Sequence, residues 1–265
     1  MSDAQRRGII LCREKENPML KIILSPAKTM RREEVIPPFG IPVFLNEAYE
    51  LVYALKQLSE MERAAIWKCS EKLRKENEER LRELDPGRNP SPALFSYSGL
   101  AYSHLSPESL SDLQLAYLQT HLRILSGLYG ILRPMDGIVP YRLEMGAALR
   151  VNGAEDLYAF WNRRIADDLQ KDCDAVIDLA SSEYSRAVRP YRNPDVRFIE
   201  IVFAERNAEG KLITKGTFAK MARGRMTRWM AEEEIEDPAQ IRAFQNGYRY
   251  LEAESNETRY VFQRQ

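Results

Sequence analysis

Three short apolar segments constrain the fold of this chain more than any other feature. Residues 20–24, 122–125 and 175–179 are rich in leucine, isoleucine and valine, which predicts three buried β-strands. Each runs directly into a turn of small or polar residues: 25–28 (SPAK), 126–130 (SGLYG) and 180–184 (ASSEY). Ligands of open α/β sheets bind beyond the carboxyl ends of strands, so we expect a shared site where these turns meet. The alternative is turn chemistry alone, with Ser181 or Ser182 capping a short helix.

Helical periodicity separates these strands. It predicts two helices between residues 45 and 84, with Ser59 and Glu62 forming the capping box of the second. Further predicted elements are a strand at 94–97, helices at 108–118, 156–169 and 218–230, a hairpin of 198–203 with 212–214, and a closing strand pair at 248–251 and 260–262. We therefore predict one α/β domain over residues 19–265, a mixed sheet with flanking helices, and treat residues 1–18 as an extension outside the fold.

Composition excludes several classes of protein. The 39 basic and 39 acidic residues balance, so attraction to phosphate must come from how the charges are distributed. Cys12, Cys69 and Cys173 lack metal-ligand spacing and are too few for a disulfide framework, so we expect reduced thiols in the cytoplasm. We expect no cofactor and no metal, although a purely carboxylate site stays open. No apolar run approaches the roughly 20 residues of a membrane span, so no membrane partner is expected.

The predicted helix at 218–230 has a one-sided basic face. Residues 215–228 contain five basic residues and no acidic one. At about 100° per residue, Lys220, Arg223 and Arg228 share a face with Gly224, where a missing side chain would let a partner approach the backbone. Arg225 falls on the apolar side, which suggests that it forms the floor of a cleft whose rim is Lys220 and Arg223. An ordinary surface helix is the alternative.

Residues 133–146 form a long loop stiffened by two prolines and two glycines. It carries Arg133, Arg142 and Glu144, and long loops within compact domains are often functional. Arg142 and Glu144 would share a face of an extended segment, so they either serve a site or pair with each other.

Several segments together resemble one known family. They are SPAKTM (25–30), HLRILSGLYGILRPMDGIVPYRLEMG (121–146), LYAFW (157–161), DLASSEY (178–184), FAKMARGRMTRW (218–229) and NGYRY (246–250). In order and spacing they are similar to the YaaA family of peroxide stress resistance proteins. The resemblance implies an α/β fold particular to that family, a cytoplasmic location, a role in limiting oxidative damage, and binding of double-stranded or branched DNA through a positively charged cleft.

The resemblance also implies a helix-hairpin-helix-like element at residues 66–80. The matching positions are Ser70, Lys72, Leu73, Asn77 and Arg80. This segment differs from a usual helix-hairpin-helix in having no glycine between Lys72 and Leu84. Glu71, Glu76, Glu78 and Glu79 of the same stretch oppose phosphate.

Two functions are therefore weighed. The first is a DNA-binding stress protein, monomeric by default, whose phosphate contacts come from a basic cleft; the candidate residues are Lys28, Arg133, Arg142, Ser181, Lys220, Arg223, Arg225 and Arg228. The second is an enzyme acting on a nucleotide or another phosphate-bearing small molecule, for which Glu144, Glu183 and Tyr184 are the candidate catalytic residues and one of the glutamates is the base. Peroxide scavenging and iron storage have less support, because Cys69 has no resolving partner and no Glu-x-x-His motif occurs.

Overall fold

Strand β1 (Met19–Leu24) lies at the centre of the sheet in the computed structural model, which describes residues 19–33 and 35–265. It pairs in parallel with β5 (Leu122–Ser126) on one side and with β8 (Cys173–Asp178) on the other. Leu20, Ile22 and Leu24 are almost completely buried, as expected for a strand covered on both faces. The three predicted buried strands are thus confirmed. The predicted extension at 1–18, with Cys12, lies outside the described residues.

The sheet is mixed. The remaining strands are β2 (Thr29–Met30), β3 (Ser91–Pro92), β4 (Tyr97–Ser98), β6 (Gly130–Leu132), β7 (Gly137–Ile138), β9 (Arg197–Arg206), β10 (Leu212–Ile213), β11 (Tyr248–Tyr250) and β12 (Arg259–Arg264). The main sheet has the order β11-β12-β9-β8-β1-β5-β6, with β10 paired to β9. Strands β12, β9, β8, β1 and β5 are parallel, whereas β6, β10 and β11 pair antiparallel. The predicted mixed α/β fold, hairpin and closing strand pair are confirmed.

Helices flank this sheet. The α-helices are α1 (Leu45–Gln57), α2 (Glu60–Trp67), α3 (Glu71–Glu83), α4 (Ala93–Ser96), α5 (Leu100–Leu105), α6 (Asp112–His121), α7 (Leu157–Trp161), α8 (Arg164–Leu169), α9 (Ser182–Ser185) and α10 (Gly216–Glu232). In the described part of the chain, 3₁₀ turns span Pro107–Ser109, Arg189–Tyr191, Pro238–Ala243 and Glu252–Glu254. Within the described residues, no helix has both the length and the apolarity needed to cross a bilayer.

Helix boundaries differ from the prediction where single residues adopt left-handed backbone. Residues 45–84 form three helices rather than two, because Lys68 has φ of 43° and the Ser70 side chain caps α3. The capping box of Ser59 and Glu62 is confirmed. The predicted helix at 156–169 is divided into α7 and α8 by Asn162, whose φ is 44°. A periodic apolar stripe continues across such breaks, so it does not reveal them.

Residues 94–97 are not a strand. Helix α4 occupies most of this stretch, and only Tyr97 joins the short strand β4. All four residues of α4 are buried, and Ser96 Oγ bonds back to the Pro92 carbonyl oxygen at 2.8 Å. A short, fully buried apolar run has no period that separates a strand from a helical turn, which explains the error.

Candidate functional site

Two of the three polar strand ends meet at the carboxyl edge of the sheet. Because β1 and β8 are parallel neighbours, Ser25 and Ser181 come together directly after them. The backbone N–H of Ser181 donates to Ser25 Oγ at 2.8 Å, and Ser25 Oγ–H donates to Ser181 Oγ at 3.2 Å. Ser181 stands at the start of α9 but its side chain makes no capping hydrogen bond there. Its hydroxyl is directed to the strand-end cluster instead.

The third strand end lies behind this cluster. Ser126, at the end of β5, is fully buried, and its Oγ is 2.7 Å from the Tyr141 hydroxyl. The Tyr141 hydroxyl is in turn 2.9 Å from that of Tyr97. Burial raises the pKa of Tyr141 to about 12, so this chain of hydroxyls is neutral. No period or spacing of residues in the sequence identifies this chain of hydroxyls.

A pocket with a cavity volume of about 290 Å³ opens beside Ser25 and Ser181. Its polar lining residues include Lys28, Arg142, Glu144, Glu183, Lys220 and Arg223. Its apolar lining comes from Leu24, Ala27, Leu100, Ala101, Leu143 and Leu179, with Tyr102, Tyr141 and Tyr184. A mainly apolar cavity with a few converging charged groups is typical of a site for a small ligand or for part of a larger one.

One wall of the pocket is the end of the loop at 133–146. Arg142 Nη2 lies 2.8 Å from Glu144 Oε1, so these two residues do pair with each other, and Lys28 Nζ is 3.6 Å from the same oxygen. Trp67 Nε1 of α2 donates to the Arg142 carbonyl oxygen at 2.9 Å, which anchors the loop. The Gly146 N–H donates to Glu183 Oε1 at 2.9 Å. Both candidate glutamates are therefore fixed in position.

The helix-hairpin-helix-like segment reaches the same loop. Its residues form the end of α2, a turn at 68–70 and most of α3. Asn77 is buried and its amide contacts the Cys69 sulfur, whereas Lys72 and Leu73 are exposed. Burial lowers the pKa of Arg80, and so does the charge of Arg142, against the effect of Glu76. Arg80 therefore lies close to the cationic side of the pocket.

The opposite wall is α10, which supplies Lys220 and Arg223. Lys220 is exposed, whereas Arg223 is partly buried. The buried Arg223 Nε donates no hydrogen bond to any described residue. Burial lowers the pKa of Arg223, although the charges of Asp178 and Glu200 act in the opposite direction. An arginine in this setting is a cation whose counter-ion is not supplied by direct contact.

Gly224 serves a purpose different from the one expected. A Cβ atom at this position would overlap the Ala101 carbonyl oxygen, so the glycine allows α10 to pack directly against α5. The expectation that Gly224 leaves an open surface for an external partner is therefore wrong. The space beside Gly224 is filled by α5, and this contact brings Ala101 and Arg223 to the same pocket.

Three predicted phosphate-binding residues lie away from the pocket. Arg133 is exposed, and its charge acts on Lys21 and Arg123 at the amino-terminal edge of the sheet. Arg228 donates to the Leu105 and Ser106 carbonyl oxygens and pairs with Glu232 at 2.6 Å. Arg225 does not line the pocket, so the expectation that it forms the floor is wrong. Of the two residues that we expected at the rim, Arg223 is more buried than Lys220.

An ion-pair network around the buried Asp178 was not predicted. Asp178 is fully buried at the end of β8, where it accepts from Ser185 Oγ at 2.7 Å and from Arg189 Nη2 at 2.9 Å. Arg189 also pairs with Glu200 at 2.8 Å. Burial raises the pKa of Asp178, and the bonds from Ser185 and Arg189 oppose this. A carboxylate at the end of an otherwise apolar strand was the available signal.

Metal binding has no visible structural basis in the described part of the chain. No group of three or more histidine, cysteine, aspartate or glutamate side chains could hold an ion there. Cys69 and Cys173 are free thiols. The pocket itself combines four cationic side chains with two carboxylates, those of Glu144 and Glu183.

Comparison with known proteins places this architecture in a family. The family described as "Peroxide stress protein YaaA" matches residues 20–254. A UPF0246 protein of Agathobacter rectalis is 42% identical over 92% of this chain and 99% of its own length. Another, from Lactiplantibacillus plantarum, is 44% identical over 92% of this chain and 98% of its own length. The family match covers every strand of the main sheet except β12, both walls of the pocket and the strand-end serines, so the chain belongs to the YaaA family of peroxide stress proteins.

Proposed function

We propose that this chain acts in the peroxide stress response by binding DNA through the cations around the pocket, as a cytoplasmic monomer. The observation that supports this most directly is the convergence of Lys28, Arg142, Lys220 and Arg223, which come from three distant segments. Lys28 and Lys220 are exposed at the mouth, where a phosphate backbone could reach them. Contacts of this kind provide affinity with little reading of base sequence.

The position of α2 and α3 supports the same proposal. Trp67 and Arg80 lie against Arg142, so the helix-hairpin-helix-like segment and the pocket mouth adjoin each other. A DNA backbone that contacts Lys220 and Lys28 would continue toward this segment. The exposed Lys72 is then its next candidate contact.

The test is the salt dependence of DNA affinity. We expect the double variant Lys28→Ala/Lys220→Ala to bind duplex and four-way-junction DNA more weakly, with the slope of log K against log salt smaller in magnitude by about 2. The matched control is Arg133→Ala/Lys171→Ala, which removes two exposed charges near the opposite edge of the sheet. An unchanged slope in the first variant, or an equal loss in the control, would contradict the assignment.

A second candidate function is an enzyme acting on a nucleotide or another phosphate-bearing small molecule. It is supported by the enclosure of the pocket and by the fixed positions of Glu144 and Glu183 beside two arginines. Glu183 is the better base, because Arg142 and Lys28 already neutralise Glu144. Tyr184, buried in the same wall, would orient the ligand.

Thermal unfolding with a panel of nucleotides tests this candidate. A nucleotide that raises the midpoint of thermal unfolding of the wild type would support binding. Conversion of that nucleotide to a product by the wild type, but not by a variant that lacks the Glu183 carboxylate, would support an enzyme. Glu183→Gln keeps the shape and the hydrogen bond from Gly146, so it is the informative variant. Firm DNA binding with no stabilising nucleotide would exclude the enzymatic candidate.

A further inference from the structure

Arg223 is a cation of the pocket for which the described residues supply no ion pair. Its side chain lines the pocket, and its buried Nε has no hydrogen-bond partner among the described residues. Moving a guanidinium out of water costs several kcal/mol unless a counter-ion or acceptors replace the water. A partly buried arginine of this kind lowers the stability of the ligand-free protein, and a bound anion would offset that cost.

The nearest carboxylates are already engaged. Asp178 and Glu200 are both bound by Arg189, at 2.9 Å and 2.8 Å. Asp178 is further saturated by Ser185 Oγ and by the Ala180 N–H at 3.0 Å. These two carboxylates moderate the charge of Arg223 at a distance, but neither forms an ion pair with it in the described structure.

The other arginine of the pocket differs in this respect. Arg142 also has a buried Nε without a hydrogen bond, but its Nη2 pairs with Glu144 at 2.8 Å. Its charge is therefore neutralised inside the protein. An incoming anion is attracted to the Arg223 side of the pocket, where no carboxylate competes for contact.

A second donor faces the same cavity. Ser181 Oγ accepts a hydrogen bond from Ser25, so the proton of the Ser181 hydroxyl remains available for a ligand. Arg223 and Ser181 both line the pocket and together offer donors only. Paired donors of this kind suit a dianionic phosphate better than a cationic group, and the Glu183 carboxylate of the same lining already accepts from the Gly146 N–H.

The size of the cavity limits what can enter. About 290 Å³ is close to the lower end of the volumes that hold small ligands, and a DNA duplex is far too large to enter. The apolar lining from Leu100, Tyr102 and Leu143 can cover the sugar and base of one nucleotide. A single phosphorylated unit fits these limits.

We propose that Arg223 and Ser181 form a phosphomonoester subsite inside the pocket, which takes one nucleotide unit by its terminal phosphate. This rests on the proposed function, because it assumes that the pocket recognises phosphate, and it adds the class of ligand. The unit is either a free nucleoside 5′-monophosphate or the 5′-phosphorylated end of a DNA strand. Lys28 and Lys220 remain at the mouth, for phosphodiesters of the backbone.

Isothermal titration calorimetry of the full chain with thymidine 5′-monophosphate and with thymidine tests the subsite. We expect the monophosphate to bind at least tenfold more tightly, and Arg223→Met to abolish that preference. The ligand-free Arg223→Met protein should also unfold at a midpoint about 2 °C higher, because it no longer buries an unpaired charge. A purely structural arginine would give the opposite shift. Arg225→Met, on the same helix but outside the pocket, should keep the preference.

Two duplexes that differ only in a 5′-phosphate or 5′-hydroxyl end identify the source of the ligand. A tenfold preference for the phosphorylated end indicates a strand-end site, and a preference restricted to the mononucleotide indicates a free nucleotide. Equal binding of monophosphate and nucleoside, no binding of either, or a lower midpoint in Arg223→Met would overturn the subsite. If the subsite is overturned but the 5′-hydroxyl duplex still binds in a salt-sensitive way, the proposal of DNA binding stands. If the preference for the monophosphate is retained but neither duplex binds, only the proposal of DNA binding is refuted.

Discussion

Cationic side chains with buried nitrogen atoms lie at both edges of the parallel strands. The two edges differ in whether the protein supplies hydrogen-bond acceptors for these cations. At the amino-terminal edge, Lys21 Nζ donates to the Thr120 carbonyl oxygen at 2.9 Å. Arg123 there donates to the Leu122 and Thr120 carbonyl oxygens at 2.8 and 3.2 Å. At the carboxyl edge, the Nε of Arg223 has no such acceptor within the described chain.

The acceptors at the amino-terminal edge come from the end of a helix. Thr120 belongs to the last turn of α6, where carbonyl groups have no partner within the helix and carry partial negative charge. Burial lowers the pKa of Lys21 to about 8, that of Arg123 to about 10, and that of Arg223 as well. The pKa shift therefore does not distinguish the two edges. The presence or absence of an internal acceptor does.

The largest expected effect concerns Asp178, the carboxylate that pairs with Arg189 and whose charge also acts on Arg223. Asp178→Asn should lower the free energy of unfolding by about 3 kcal/mol, because it leaves Arg189 without its buried partner. Glu200→Gln removes the more exposed partner of the same arginine and should cost less than about 1 kcal/mol. Chemical denaturation measures both. Equal losses of stability in the two variants would mean that the buried Asp178 contributes no more to holding Arg189 than the exposed Glu200 does. The contrast between satisfied and unsatisfied cations would then be weaker.

Next in size is the contact that builds the wall of the carboxyl edge. Gly224→Ala should lower the free energy of unfolding by about 2 kcal/mol, because the new Cβ forces α10 away from the Ala101 carbonyl oxygen. DNA affinity should fall with it, since Lys220 and Arg223 move with the helix. Gly216→Ala, at the start of the same helix in open space, should leave stability within about 0.5 kcal/mol of wild type or slightly raise it. A tolerated alanine at 224 would show that the two helices are not held together there.

The amino-terminal edge should respond to pH. The pKa of Lys21 is about 8 in the folded protein and near its ordinary 10.5 when unfolded, so between these values the unfolded chain binds the extra proton. Stability from this group therefore rises with pH above 8, by an amount of the order of 1 kcal/mol between pH 8 and 9.5. Urea unfolding at several pH values measures it. Lys21→Met should flatten the rise, and parallel profiles for the two proteins would contradict the assignment.

The smallest expected effect is at Arg133. This arginine is exposed near Lys21 and Arg123, on the edge that supplies its own acceptors. Arg133→Ala should change DNA affinity by less than about twofold and stability by less than about 0.5 kcal/mol. Fluorescence anisotropy at fixed salt checks this. A loss comparable to that of Lys220→Ala would place DNA on both edges and remove the distinction.

The features that the sequence revealed are those carried by local pattern. Apolar strands followed by small polar turns correctly indicated β1, β5 and β8, and two of their ends do form the pocket. The capping box of Ser59 was equally readable, because all of its parts lie within four residues.

What escaped prediction depends on contacts between distant segments. Spacing predicts which residues share a face of a helix, but it does not predict which part of the chain covers that face. The predictions for Gly224 and Arg225 were wrong for this reason. Ala101, which packs against Gly224, lies more than a hundred positions earlier in the sequence. The Tyr97–Tyr141 contact has the same origin, whereas the Asp178–Arg189–Glu200 network depends on how β8, β9 and the turn between them pack. Left-handed residues such as Asn162 interrupted helices without altering their apolar stripe.

The central position of β1 has a consequence for synthesis of the protein. Ile22 pairs with Leu122 of β5 on one side and with Ile177 of β8 on the other, and both partners lie far later in the chain. At about 5–20 residues per second, a ribosome leaves this apolar strand without neighbours for several seconds or more. A short apolar, β-prone run in that state is a hazard for aggregation, which Lys21 within the strand and Lys28 just after it reduce. We therefore expect the nascent chain to occupy a chaperone at this strand until β8 emerges.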